Sequence, residues 1–264
     1  MPQSDAYQKP WGLFWVAATL ALGYLAAALA LKLRGWARGA PLLPAPRPAR
    51  GRVAGIWLVE TLLQRQLLQL SRLRWAAHLA IVWGFLGLSF LSALHVILPA
   101  LAALSLDGGL AAWLLRGEGR AAGKAWGNAC GLLLLAGLLL ALARRLARPR
   151  TPAQGPEEAP EADLPLVVSL LVLTLSGFAL EGLRHALAAS GPEDAAALRP
   201  WLTALWTAHG LGGVALVAWL PRGTRLHVLL APLVIALNAR NEHPRRDLYW
   251  PPTTEPRAGG SPKA

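Results

Sequence analysis

Five stretches of this chain are apolar enough to cross about 30 Å of hydrocarbon as helices of roughly 20 residues. They run from Trp11 to Leu31, Trp75 to Leu98, Trp126 to Ala143, Leu164 to Ala189 and Trp201 to about Leu237. No other feature narrows the fold as far, because a chain in lipid must pair every backbone N–H and C=O within a helix or a closed barrel. Runs such as Gly131 to Leu142 do not alternate as barrel strands do. The 264 residues are 55% hydrophobic and 15% charged, and the mean hydropathy is +0.40, too apolar for an ordinary soluble domain. The expected fold is an all-α integral membrane protein with five transmembrane helices. Ala28-Leu29-Ala30 resembles a signal-peptidase site, but the apolar run exceeds a signal-peptide core and only Lys9 precedes it, so the first stretch is expected to be a retained span.

A net charge of +12 suggests nucleic acid in a soluble protein; here the distribution of the charge matters more. Nine Lys/Arg lie between Lys32 and Arg74, four between Arg144 and Asp163, and seven from Arg222 onward. If all five stretches cross, these segments share one side, with twenty basic residues against six. The positive-inside rule then places the N-terminus outside and the C-terminus in the cytoplasm. Such a face suits anionic lipid headgroups, so membrane lipid and not nucleic acid is the expected partner.

Pro41-Leu-Leu-Pro-Ala-Pro-Arg-Pro48 is an extended linker. From Val53 to Arg74, apolar residues recur at Ile56, Val59, Leu63, Leu67 and Leu70, with Glu60, Gln64, Gln66 and Arg72 elsewhere, which predicts an amphipathic cytoplasmic helix between helices one and two. The segment Leu104 to Lys124 reads as an outer loop with one short helix, and Arg148 to Pro165 as a Pro- and Glu-rich inner linker. The chain divides into a first transmembrane helix (1–34), a cytoplasmic linker with the amphipathic helix (35–74), a four-helix membrane core (75–240) and a disordered cytoplasmic tail (241–264).

Histidine carries the chemistry expected of that core. An imidazole in an apolar span is costly and is a functional candidate by default, and neutral imidazole is a common axial ligand of haem iron. His209 and His227 are eighteen residues apart, five whole turns of a straight helix, although Pro221 and Gly223 fall between them. His78 and His95 are seventeen apart on the second span, which turns one about 100° from the other. The two pairs suggest bis-histidine haem b, with His78 and His227 toward the cytoplasm and His209 toward the outside. Arg225 stands beside His227 to pair with a haem propionate, and Gly210 leaves room beside His209 for a flat macrocycle. His95 and His185 compete for the remaining position on the outer iron, and His243 reads as a solvated tail residue.

Glu181 and Arg184 read either as an interfacial ion pair or as a quinone-binding and proton-handling site, with Lys124 and Asn128 as weaker candidates. Gly84, Gly87, Gly127, Gly131 and Gly137 permit close helix approach or haem clearance. The single cysteine, Cys130, excludes an iron–sulfur cluster within the chain and reads as a small buried residue.

Several of these residues fall in an order that resembles the respiratory nitrate reductase gamma subunits. The resemblance is strongest to the branch with the membrane subunits of heterodisulfide reductase and of sulfite-reductase-associated complexes. It rests on Arg74-Trp-Ala-Ala-His78, Trp83-Gly-Phe-Leu-Gly-Leu88, Gly127-Asn128, Ser176-Gly-Phe-Ala-Leu-Glu-Gly-Leu-Arg184, His209, and Arg225-Leu-His227 with Pro232, between about residues 53 and 240. It implies a dihaem cytochrome b of a bacterial or archaeal cytoplasmic membrane. Quinol, menaquinone or ubiquinone, would be oxidised near the outer surface, and electrons delivered to a cytoplasmic iron–sulfur or catalytic subunit. It assigns the inner haem to His78 and His227 and the outer haem to His209, with Arg74 and Arg225 among the cofactor-binding residues. The family's second ligand on helix two comes ten residues after the first, where this chain has Leu88, so His95 or His185 would have to substitute. The rivals are a haem-free membrane anchor and a transporter. The transporter lacks support from internal repeats or from central polar residues in spans one and three.

Overall fold

A computed structural model describes residues 10–37, 54–55, 57–106, 108–115, 117–147, 164–222 and 230–235. Among the described residues all regular structure is helical. The helices are α1 (Trp11–Ala37), a π-helical turn (Val59–Leu63), α2 (Arg65–Leu70), α3 (Arg72–Ala103), α4 (Leu110–Leu115), α5 (Gly119–Leu146), α6 (Leu164–Ala189) and α7 (Pro192–Trp219). Five of them, α1, α3, α5, α6 and α7, are long and apolar enough to cross a membrane, so the chain is built as a multi-pass membrane protein.

Local chemistry sets the ends. Ser71 caps α3, with extended backbone and a hydroxyl that accepts from the Arg74 backbone N–H at 3.4 Å. Past its other end, Ser105, Gly108 and Gly109 all have positive φ, which reverses the chain into α4. Arg144 and Arg145 sit in the last turn of α5, and Pro192, Glu193 and Asp194 open α7, each where the helix dipole favours it. The fifth span therefore begins at Pro192, nine residues before the expected Trp201, and carries Pro200 inside it. It stops at Trp219, because Pro221 lacks the N–H that another turn requires. Helix resumes among residues 230–235.

The spans α3, α5, α6 and α7 pack in chain order, each antiparallel to the last, and α1 lies parallel to α7. The closest pairing is α3 on α5, and glycine makes it. A methyl on Gly84 would stand 2.6 Å from the Leu134 nitrogen and 2.7 Å from the Cys130 carbonyl oxygen, and one on Gly137 2.8 Å from the Ile81 nitrogen. Water supplies no hydrophobic drive between helices in lipid, so such backbone approach with its dispersion contacts is the main source of association. Cys130 is buried under Gly87, and the Trp126 indole donates to the Gly87 carbonyl at 3.2 Å. Leu134, Leu138 and Val167 form the core, with Ile81, Phe85, Leu88, Leu170 and Leu171 against it.

The expected amphipathic helix is not continuous where it is described. It breaks at Gln64, which is left-handed (φ 49°, ψ 48°), and again at the Ser71 cap. The π-turn lies back along α3, held by the indoles of Trp75 and Trp83, which donate to the carbonyls of Leu63 and Leu62 at 2.6 and 3.1 Å. Trp57 donates to the Pro232 carbonyl at 2.9 Å, tying this strap to the segment beyond α7.

Candidate functional site

His209 is seventeen residues from the start of α7 and ten from its end, and Ser176 stands at the middle of α6. The two meet at mid-span, with Ser176 Oγ 2.8 Å from His209 Nδ1. The same hydroxyl donates to the Leu173 carbonyl at 2.9 Å. A hydroxyl has one proton to give; with that proton on the Leu173 carbonyl, Nδ1 of His209 carries the hydrogen and donates to Ser176, and Nε2 keeps its lone pair. That is the tautomer an axial imidazole requires, with its second nitrogen held by a hydrogen-bond acceptor. The ring lies over Gly177, where a methyl would meet Cε1 at 3.4 Å.

Phe14 of α1 covers the face of Gly210, its ring 3.3 Å from where a methyl would sit. The room expected there for a macrocycle is filled by an aromatic cluster in which Trp206 stands 5.0 Å from Trp11 and 5.7 Å from Phe14.

His95 has the same tautomer by another route. Its Nδ1 lies 2.8 Å from the Leu91 carbonyl, which only accepts, so Nε2 again keeps the lone pair. The structure does not bring His95 level with His209. Contacts trace one depth through the bundle, Gly87 on Cys130, Gly131 on Phe178, then Ser176 on His209. His95 lies eight residues beyond Gly87, about 12 Å further along α3. At the shared depth stands Leu88, packed against the apolar core.

His78 is exposed in the second turn of α3, and Arg74 lies a turn before it. His227 and Arg225 lie outside the described residues, as does His243. The eighteen-residue phase between His209 and His227 does not hold, because α7 ends between them. The spans α3 and α7 share no extended interface, yet the strap joins their neighbourhoods at the end that carries Arg72 and Arg145.

At the opposite end, Glu181 gathers three basic groups. Oε1 is 3.1 Å from Lys124 Nζ and 3.2 Å from His185 Nε2, and Oε2 is 3.7 Å from Arg184. His185 thereby turns Nε2 toward a carboxylate. Among the described residues no group of three or more His, Cys, Asp or Glu side chains is placed to hold a metal ion, so any iron here would rest on isolated imidazoles.

Sequence reasoning missed Ser176 as a partner of His209, and it missed the three tryptophans of the strap. The available signal for Ser176 was a hydroxyl at the centre of an apolar span, which Thr174 two residues before it shares. Comparison with protein-family models, with curated proteins and with solved structures found no match to this chain.

Proposed function

We propose that this chain is a membrane cytochrome b subunit that moves electrons between a quinone pool and a cytoplasmic iron–sulfur or catalytic partner. The observation that carries it is His209: an imidazole at mid-span whose Nδ1 lies 2.8 Å from Ser176 Oγ, a contact that suits the tautomer in which the lone pair of Nε2 is left for a metal. The donor chemistry suits haem b, with His209 as one ligand and His78, with His227, as the candidate pair at the basic end. His95 presents a second open Nε2 toward the other end. Iron porphyrin held by imidazoles stores one electron at a time, and two such groups would span the membrane stepwise.

The residues of this chain do the rest. Ser176 orients the His209 ring, the close α3–α5 packing excludes water, and the Glu181 cluster sits at the end where quinol would surrender two protons. The positive-inside distribution puts the N-terminus and the Glu181 end outside and the strap at the cytoplasmic face. There the broken amphipathic segment 57–70 offers a docking surface to the soluble partner.

A second reading, a haem-free membrane anchor, is favoured by one observation, Phe14 filling the space over Gly210. A reduced-minus-oxidised spectrum of the purified chain, expressed with ample haem, separates the two. A b-type α-band that weakens in His209→Ala supports the cytochrome, and a featureless trace leaves the anchor.

A further inference from the structure

Trp75 and Trp83 stand eight residues apart on α3, about 12 Å along its axis, yet their indoles donate to the carbonyls of two successive residues, Leu63 and Leu62. Both carbonyls therefore lie within reach of both tryptophans, between their two depths. Gly87 marks the middle of α3 (Arg72–Ala103) and lies against Cys130, at the level of the Ser176–His209 pair. Trp83 is about 6 Å from that level along α3 and Trp75 about 18 Å. The π-turn between them thus sits about 12 Å from the middle of the bundle, inside a hydrocarbon half-thickness of about 15 Å.

Backbone that leaves the α-helix at that depth has no water to satisfy it. The break at Gln64 sends the Leu67 N–H to the Gln64 carbonyl, three residues back, so the Leu63 carbonyl loses the partner that a continuous helix would give it. The indoles of Trp75 and Trp83 supply what the break removes, as solvent does for a helix end in water. Side chains suit the same place. Leu63 is exposed although the strap lies along α3. The only charge on the π-turn, Glu60, is 11% exposed and lies 3.5 Å from Arg65, and a charge at this depth requires such pairing.

We infer that the strap is a re-entrant segment, with Leu63 against the acyl chains of the leaflet at the basic end and the turn held at that depth by the indoles of Trp75 and Trp83. Haem plays no part in it. Lipid is then the partner of the leucine side, and the exposed pair Arg65 and Gln69, four residues apart on one face of α2, is what remains for a soluble protein.

The test places a nitroxide at Leu63→Cys or at Gln69→Cys in the full chain, with Cys130→Ala as background, in vesicles of mixed zwitterionic and anionic phospholipid. It compares collision with oxygen, which dissolves in acyl chains, and with a neutral water-soluble nickel chelate. The oxygen-to-nickel collision ratio at Leu63→Cys is expected to exceed that at Gln69→Cys about tenfold, since hydrocarbon excludes a polar complex and admits oxygen. Trp83→Phe leaves the Leu62 carbonyl without its donor at that depth, so the turn rises and the ratio at Leu63→Cys falls by about threefold or more. Equal ratios at the two positions, with nickel colliding freely at both, place the strap in water and overturn the proposal. Poor collision of both probes at Leu63→Cys means that protein covers the position, a second copy of the chain or another part of this one, and also overturns it. A ratio that Trp83→Phe leaves unchanged shows that the indole does not set the depth, with the same result.

Discussion

Ser176 and His209, thirty-three residues apart in the chain, share a 2.8 Å hydrogen bond at the centres of two adjacent spans. Ser176→Ala removes the hydrogen-bond partner of His209 Nδ1 and is expected to destabilise the protein by about 0.6 kcal/mol, the average for such bonds within membranes. In haem-loaded protein it is expected to raise the midpoint potential by roughly 20–60 mV, because the imidazole becomes a weaker donor to ferric iron. Redox titration checks this, with Ser176→Thr as the control that keeps the hydroxyl. An unchanged potential in a variant that retains haem would remove His209 from the ligand set.

Gly84→Ala and Gly182→Ala are the same chemical change in different surroundings. At Gly84 the added methyl meets backbone of α5, which cannot step aside as a flexible side chain does, whereas at Gly182 nothing lies within 4 Å. The first is expected to cost about 1–3 kcal/mol, and the second to be close to neutral. Unfolding of the two variants in mixed micelles checks the contrast, and equal stabilities would mean that α3 and α5 do not pack this closely.

Trp83→Phe keeps the ring and loses the indole N–H that holds the Leu62 carbonyl. The expected cost is about 1 kcal/mol, concentrated in the strap. The readout is faster tryptic cleavage after Arg65, with cleavage elsewhere unchanged. A uniform rise in cleavage along the chain would show that Trp83 serves general packing instead.

Glu181→Gln removes the charge on which Lys124, Arg184 and His185 converge. Lys124 and Arg184 are each more than two-fifths exposed, so the stability cost is expected to stay below about 1 kcal/mol. A role in quinol oxidation predicts a fall of about 100-fold or more in quinol-driven haem reduction, with haem content intact. Stopped-flow reduction measures it, and a rate within twofold of wild type would leave the cluster as an ion pair only.

His185→Ala is expected to leave the number of haems per chain unchanged, because His185 Nε2 already faces Glu181. Pyridine haemochrome assay counts them. Loss of one haem would show that the imidazole turns away from the carboxylate to bind iron.

Much of the architecture was legible in the residue order. Leu164–Ala189 has the limits that its apolar run predicts, because linker flanks it before and a Ser190–Gly191 break after. The fifth span was not read so well. It was expected to start at Trp201 and to run on past a kink at Pro221, but the helix starts at Pro192, passes Pro200 and stops before Pro221. The Gly191–Pro192–Glu193–Asp194 start is a stronger terminus signal than an internal proline is a barrier near a helix end. The strap was read as one amphipathic helix because apolar spacing does not reveal a left-handed residue such as Gln64.

By itself the sequence determined that five helices would form and which ends would be basic, since length, apolarity and charge asymmetry act locally along the chain and need no partner. The tertiary structure alone decided what each polar side chain faces. It set His209 against Ser176, Leu88 into the core at the depth where a second histidine was expected, Phe14 over Gly210 and His185 onto Glu181. Those outcomes depend on the depth at which each helix docks and on its rotation about its axis. In lipid, the close approach of small residues and a few hydrogen bonds between helices set both, and a helical period read along one segment contains neither.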